Sequence, residues 1–192
     1  MNGILFSAIG AAVTLALVYL IQHLTSFKRQ RPTDFSGQGP HFDIREELQG
    51  DILCEGVIYG PLGKISSRFV ADMEVQWEGN IGRMTEKFVY DNGDIQDRAW
   101  TLTVGNDGSV KAHADDVVGT GTGQINGPAF LMNYKLQLPD ASGGHVLDAV
   151  DWMYLVDNGS IINRSQFRKY GIKVAEIVAT MRRKDRMMKQ AA

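Results

Sequence analysis

The chain has a single cysteine, Cys54, among its 192 residues, so neither a disulfide framework nor a cysteine-rich zinc scaffold is open to it. Its four histidines, His23, His41, His113 and His145, stand singly without zinc-ligand spacing, and no metal site is expected. Phosphate-binding loops are missing as well. Gly60-Pro61-Leu62-Gly63-Lys64 matches such a loop only at its end, because Ile58 stands where the first glycine belongs. No helical pattern follows Gly119-Thr120-Gly121-Thr122-Gly123 to receive a pyrophosphate, and the glycines read instead as a bulged or closely packed strand. No nucleophile and base stand out as a pair, so no cofactor is expected and catalysis has little positive support. A 44% hydrophobic content excludes a disordered tail, and the length suits one domain with a core of its own.

Charge is absent from residues 1–27, which contain no Asp, Glu, Lys or Arg. Gly3 to Leu24, GILFSAIGAAVTLALVYLIQHL, is nearly continuous in apolar and small residues, and about 20 such residues on a helix rise cross a hydrocarbon core. A secretory signal peptide wants a basic start and a small-residue cleavage site. The flanks Met1-Asn2-Gly3 and Leu24-Thr25-Ser26-Phe27-Lys28 offer neither, which favours a retained transmembrane anchor over residues 1–27. A lipoprotein signal does not fit, since Cys54 lies far downstream. Lys28, Arg29 and Arg31 follow the span and bias that side toward the cytoplasm. Beyond them the charges separate: residues 32–163 hold 8 basic and 20 acidic side chains, and 164–192 hold 9 basic and 2 acidic. The net charge of -2 therefore sums an acidic middle and two basic flanks.

Residues 28–40, rich in proline and glycine and without periodicity, read as a linker. Asp43 and Glu46 have the spacing of a capping pair for a short helical turn over 42–48. After Gly50 the pattern becomes alternating, with turn signals about every ten residues, among them Gly79-Asn80, Asn92-Gly93, Asn106-Asp107-Gly108, Asn126-Gly127 and Asp157-Asn158-Gly159. In 69–77, Phe69, Ala71, Met73, Val75 and Trp77 face one way, and Asp72, Glu74 and Gln76 the other. Similar segments occupy 81–90, 95–104, 129–138, 146–156, 160–168 and 172–182. Around nine strands in meander order, without intervening helices, would leave open edges unless the sheet closes on itself. A mainly β, antiparallel up-and-down barrel over 41–184 is the expectation, with a sandwich as the runner-up.

Polar residues in the dry phase mark the candidate site. Glu86 shares a face with Met84, Phe88 and Tyr90, and Arg98 shares one with Trp100 and Leu102; a hairpin over Asp91 to Gly93 brings the two charges together. Inside a barrel such a pair could orient a ligand head group, whereas a one-residue bulge would leave it as a surface salt bridge. Trp152 and Tyr154 share one face, Asp151 lies on the other with Met153 and Leu155, and Arg164 on the returning strand is a candidate counter-charge for Asp151. Aromatic rings beside an acid and an arginine suit an amphipathic ligand, and they equally suit a core tryptophan with structural hydrogen bonds. The ligand-binding candidates are thus Glu86, Arg98, Trp100, Asp151, Trp152, Tyr154 and Arg164.

Several unusual strings occur in order: Asp115-Asp116-Val117-Val118-Gly119, Asp151-Trp152-Met153-Tyr154-Leu155, Ile162-Asn163-Arg164-Ser165 and Phe167-Arg168-Lys169-Tyr170-Gly171-Ile172. With Phe88-Val89-Tyr90 and the Trp100 strand, they resemble the motifs of bacterial domain-of-unknown-function family 3833 from about Phe42 to Met181. The resemblance implies a lipocalin-like (calycin-type) barrel and no established reaction. Many relatives resemble exported lipoproteins, which would put the barrel in the periplasm, opposite to the bias of the flanking charges; this chain departs from them in having no lipid-acceptor cysteine. The last strand runs into Arg182-Arg183-Lys184-Asp185-Arg186, and residues 185–192 read as a basic tail facing an anionic membrane surface or solvent. Nucleic acid is not an expected partner, since the acidic barrel would repel phosphate. The leading expectation is a single-pass protein of the bacterial inner membrane whose barrel takes a lipid-like or other hydrophobic small molecule, with membrane lipids as partners. An isomerase- or hydratase-type enzyme acting on a lipid or isoprenoid through Asp151 or Glu86 is the alternative, and a membrane-associated scaffold the third.

Overall fold

Local turn chemistry and two-residue alternation produce ten antiparallel strands in the computed structural model, which describes residues 2–24 and 27–190. They are β1 (Gly50–Tyr59), β2 (Ile65–Glu78), β3 (Ile81–Tyr90), β4 (Ile95–Val104), β5 (Ser109–His113), β6 (Gly121–Asn126), β7 (Ala129–Gln137), β8 (Val146–Leu155), β9 (Ile161–Lys169) and β10 (Ile172–Arg183). Each pairs with its neighbours in the chain, and β1 pairs with β10, so the sheet closes into a barrel rather than splitting into a sandwich. Closure removes both edges at once, the reason a meander of this length takes the form. The glycine-rich 119–123 segment does become part of a strand. Gly123 on β6 lies so near Phe130 and the Leu131 carbonyl that a β-carbon would stand 2.6 Å and 2.8 Å from them.

The inward face is the one the alternation marks: Ala71, Met73 and Val75 of β2, Met84 of β3, Trp100 and Leu102 of β4, Met132 of β7, and Ala149, Met153 and Leu155 of β8 are all buried. One end is plugged by α2 (Ile44–Glu47) and its flanks, where Phe42, Ile44 and Leu48 are buried and Phe42 packs on Phe130. Asp43 caps this turn by accepting from the Arg45 amide at 3.0 Å, and it also holds the Arg45 guanidinium. Trp77 Nε1 donates to the Leu48 carbonyl at 2.7 Å and ties the plug to β2.

The wall is uneven. β4 pairs with β5 only from Thr101 to Val104, which leaves residues 95–100 without a strand on that side. The 114–118 segment fills the space instead and is held to β7 by the Val118 amide on Lys135 O and the Gln137 amide on Asp116 O, at 2.9 and 2.8 Å.

Helix α1 (Asn2–Leu24) contains one apolar stretch, Gly3–Ile21, of the length and composition that crosses a membrane or serves as a signal sequence, and that stretch is wholly unburied. Met1, Thr25, Ser26, Ala191 and Ala192, all within the expected anchor and tail, lie outside the described residues. The segment expected as a plain linker forms 3-10 turns at Phe27–Arg29 and Pro32–Phe35 and runs as a strap over the outside of the barrel. It passes so close to the β6–β7 turn that a β-carbon on Gly127, whose φ is +55°, would collide with the Phe35 carbonyl. At the other terminus β10 leads into α3 (Lys184–Gln190). The basic end meets the acidic barrel there: Arg182 pairs with Glu55, Lys184 with Asp72 and Arg186 with Glu47, at 2.5–2.6 Å.

Candidate functional site

Two polar clusters stand in the apolar lumen. Register places Glu86 of β3 opposite Arg98 of β4, as the hairpin pattern predicts. The Arg98 Nη1 lies 3.7 Å from Glu86 Oε2, and Trp100 Nε1 donates to the same oxygen at 3.1 Å. Arg98 makes its tighter contact with Asp116, through Nε at 2.7 Å and Nη2 at 3.0 Å, while its guanidinium lies 4.8 Å from the centre of the Trp100 ring. Tyr134 meets Trp100 edge-on. Burial drives the Glu86 carboxyl above its ordinary range, and the field of Arg98 and the Trp100 hydrogen bond offset this only in part. Burial opposes the Arg98 charge, but the Asp116 hydrogen bonds and the Glu86 field outweigh it and raise the guanidinium further.

The second cluster centres on Asp151 of β8, whose Oδ1 accepts from Asn163 Nδ2 and, at 2.8 Å, from Ser165 Oγ on β9. Burial raises this carboxyl too, against both donors. Asp151 meets neutral donors here, not the expected arginine. Arg164 pairs across the ladder with Trp152, and its side chain points out of the barrel to Glu176 at 2.6 Å. The reason is parity, since Asp151 and Ser165 are inward partners and the adjacent pair must face outward.

Both clusters line one cavity of about 90 Å³, together with Met73, Met84, Met132, Met153 and Met181. That is well short of the roughly 300 Å³ at which pockets for ordinary small ligands begin. Five methionines can repack with little strain, because an unbranched thioether side chain has several rotamers of similar energy. Cys54 lies on the same cavity, and burial, helped by the Glu86 and Asp151 charges, pushes its thiol up to about 12, leaving it a protonated small side chain.

Of the seven sequence candidates, Glu86, Arg98, Trp100 and Asp151 therefore gather on the lumen. Trp152, Tyr154 and Arg164 gather elsewhere, on the outer face beneath the strap. Trp152 is fully buried there, stacked on Tyr154 at 5.8 Å and covered by Phe35 at 5.7 Å. The Tyr154 hydroxyl donates to Gln30 Oε1 at 2.7 Å, and the Arg164 guanidinium sits 4.9 Å from the centre of the Phe27 ring. Alternation alone could not single out Asp116, which lies outside the strands; its one sequence signal is its place in the Asp115-Asp116-Val117-Val118-Gly119 string. Asn163 and Ser165 carry the inward phase of β9 and were legible as partners of Asp151 once the register was known.

A family model described as a protein of unknown function (DUF3833) matches residues 21–183. No curated protein matches the chain. Among solved structures, the S-type phycobiliprotein lyase CPES from Guillardia theta is similar in fold, with a TM-score of 0.53 and 9% identity over 72% of this chain and 89% of that one. At that identity the likeness extends to the lipocalin-like barrel alone.

Proposed function

Since the chain belongs to the DUF3833 family, whose function is unknown, we propose a function from its barrel: it binds a hydrophobic small molecule in the lumen, oriented by Glu86, Arg98, Trp100 and Asp151. The observation that carries this reading is the pair of buried polar clusters set in a methionine-rich apolar cavity. A lumen serving only as a core would gain stability from apolar replacements at these positions, because buried ion pairs offset their own desolvation poorly. Recognition of a polar group on an otherwise apolar ligand gives them a use. The fold likeness to a phycobiliprotein lyase, whose barrel has the same architecture, is compatible with a small molecule in the lumen. Helix α1 anchors the barrel at the bacterial inner membrane in this reading, and membrane lipids are the source or the neighbours of the ligand. On this view Trp152, Tyr154 and Arg164 seat the strap that joins anchor to barrel rather than the ligand.

Native mass spectrometry of the full chain released from detergent tests the proposal. A bound small molecule that is lost in a variant filling the lumen, such as Ala179→Leu on the cavity lining, supports it; a barrel that stays empty in both, with lipid extracts supplied, overturns it. One observation favours a second reading: Glu86 and Asp151 both face the cavity with carboxyls raised by burial, the direction of shift that a carboxyl acting as general acid needs. Turnover of the bound molecule that stops in Glu86→Gln or Asp151→Asn would convert the binding module into an enzyme acting on a lipid or isoprenoid.

A further inference from the structure

Arg98 sits where a loop segment completes the barrel wall. Beside residues 95–100 of β4 the wall is the 114–118 segment, and Asp116 on that segment grips the guanidinium in a two-bond fork. Arg98 and Glu86 line the interior cavity, and they also line an open groove of about 900 Å³ on the outside, which Asp115, Asp116 and Pro139 share. The guanidinium therefore lies between the two spaces, beside the Met73 and Glu86 side chains that also line both. Its side chain is 16% exposed and lies over the Trp100 ring, an arrangement that fixes the fork in direction. A carboxylate held on that fork occupies the position and satisfies the geometry that the carboxylate or phosphate of a ligand would require.

We propose that Asp116 is an internal surrogate for the head group of an anionic amphiphile. The ligand's carboxylate or phosphate displaces Asp116 from Arg98, the 114–118 segment leaves β4, and the apolar tail passes through the opened wall into the methionine-lined lumen. The inference rests on the binding reading above and adds the ligand class and the route. Charge is conserved in the exchange, since one anion leaves the guanidinium as another arrives. Glu86 does not take the vacated place, because it approaches Arg98 from the neighbouring strand at a longer distance and already accepts from Trp100. The tie that must yield is local: the two backbone hydrogen bonds to β7, which together make the Val117–Leu136 bridge, and the burial of the Val117 side chain.

The full chain in lipid nanodiscs, referenced to empty nanodiscs, is titrated with a dansyl-labelled undecanoic acid, its methyl ester and the corresponding alkyl phosphate. Wild type should favour one of the anions over the ester, and the preferred anion identifies the head group. Asp116→Asn should raise the anion-to-ester affinity ratio roughly tenfold by removing the competing carboxylate, and Arg98→Gln should abolish the preference. In the wild type, hydrogen exchange at the Val118 and Gln137 amides should quicken on saturation with the anion and not with the ester. A ratio unchanged or lowered in Asp116→Asn, or exchange at these amides unmoved by the anion, overturns the surrogate role. Ester and anions binding equally well overturn it while sparing the binding reading; no binding by any probe overturns both.

Discussion

From β8 through β9, β10 and β1 to β3 the barrel wall is made of strands of nine to fourteen residues, whereas β5 and β6 have five and six. The long wall is laddered on both sides over most of its length and carries the terminal helix, while the plug and the strap bridge it to β6 and β7. Next to the short wall, a stretch of β4 is laddered to β3 on one side but has a loop segment on the other, where an ion pair takes the place of a ladder. A continuous ladder fixes every neighbour at once, while an ion pair can be exchanged for another of equal charge. The difference assigns stability to one region and access to the other.

The contrast is broken most strongly at Trp152. Trp152→Ala removes a fully buried ring from under the strap and should cost about 3–5 kcal/mol, read as a fall in the unfolding midpoint of the full chain, with faster exchange at residues 30–36. A comparison of two glycines sharpens it. On β1, a β-carbon at Gly56 would stand 2.7 Å from Ala179 Cβ and 2.8 Å from the Val178 carbonyl, and on β6 one at Gly123 would stand 2.6 Å from Phe130. Overpacking of this kind costs about 1–3 kcal/mol; both glycines are laddered on both sides, so strand length decides, and Gly56→Ala, between strands of fourteen and twelve residues, should fall at the upper end, while Gly123→Ala, on a six-residue strand, falls at the lower end. Equal losses would show the short wall to be as rigid as the long one.

The pH dependence separates the lumen from the surface. Glu86 is raised above 4.5, so between the ordinary value and its own the native state holds a proton that the unfolded chain has released. Raising pH through that window therefore lowers stability. Asp43, Asp91 and Asp107, all lowered by hydrogen bonds, contribute the opposite slope, their stabilisation being lost as pH falls. The difference in denaturation midpoint between wild type and Glu86→Gln should thus grow in favour of the variant as pH rises from about 4 toward neutrality. A constant difference would mean that the pair with Arg98 keeps the carboxylate charged throughout. The smallest effect is at the plug, where Asp43→Ala removes a helix cap worth about 1 kcal/mol and should loosen Leu48 and the Trp77 hydrogen bond without altering either wall, as seen in tryptophan fluorescence.

Legibility followed the range of the interaction. The Glu86–Arg98 juxtaposition was readable because a single hairpin, turning on Asn92-Gly93, connects them. The opposite faces of Asp151 and Trp152 were readable from parity. What parity could not say is that an outward-facing tryptophan would be buried, since that depends on Phe35, a residue of the segment expected to be a plain linker. Arg164 was not readable in the same way, because which residue of β9 shares the inward face with Asp151 depends on the register of β9 against β8, and that register pairs Asp151 with Ser165 and turns Arg164 outward to Glu176. The basic end read as free charge since its partners Glu47, Glu55 and Asp72 lie more than a hundred residues earlier.

The amino-acid order alone therefore settles the apolar N-terminal helix, the hairpins and the set of side chains that face inward, because hydropathy, turn residues and two-residue alternation act between near neighbours. Closure of β1 on β10, the burial of Trp152 by the strap and the meeting of Arg98 with Asp116 belong to the folded chain. Those contacts join surfaces that no local preference orients, such as Tyr154 and Gln30, 124 residues apart, and they exist only after the barrel has brought its two ends together.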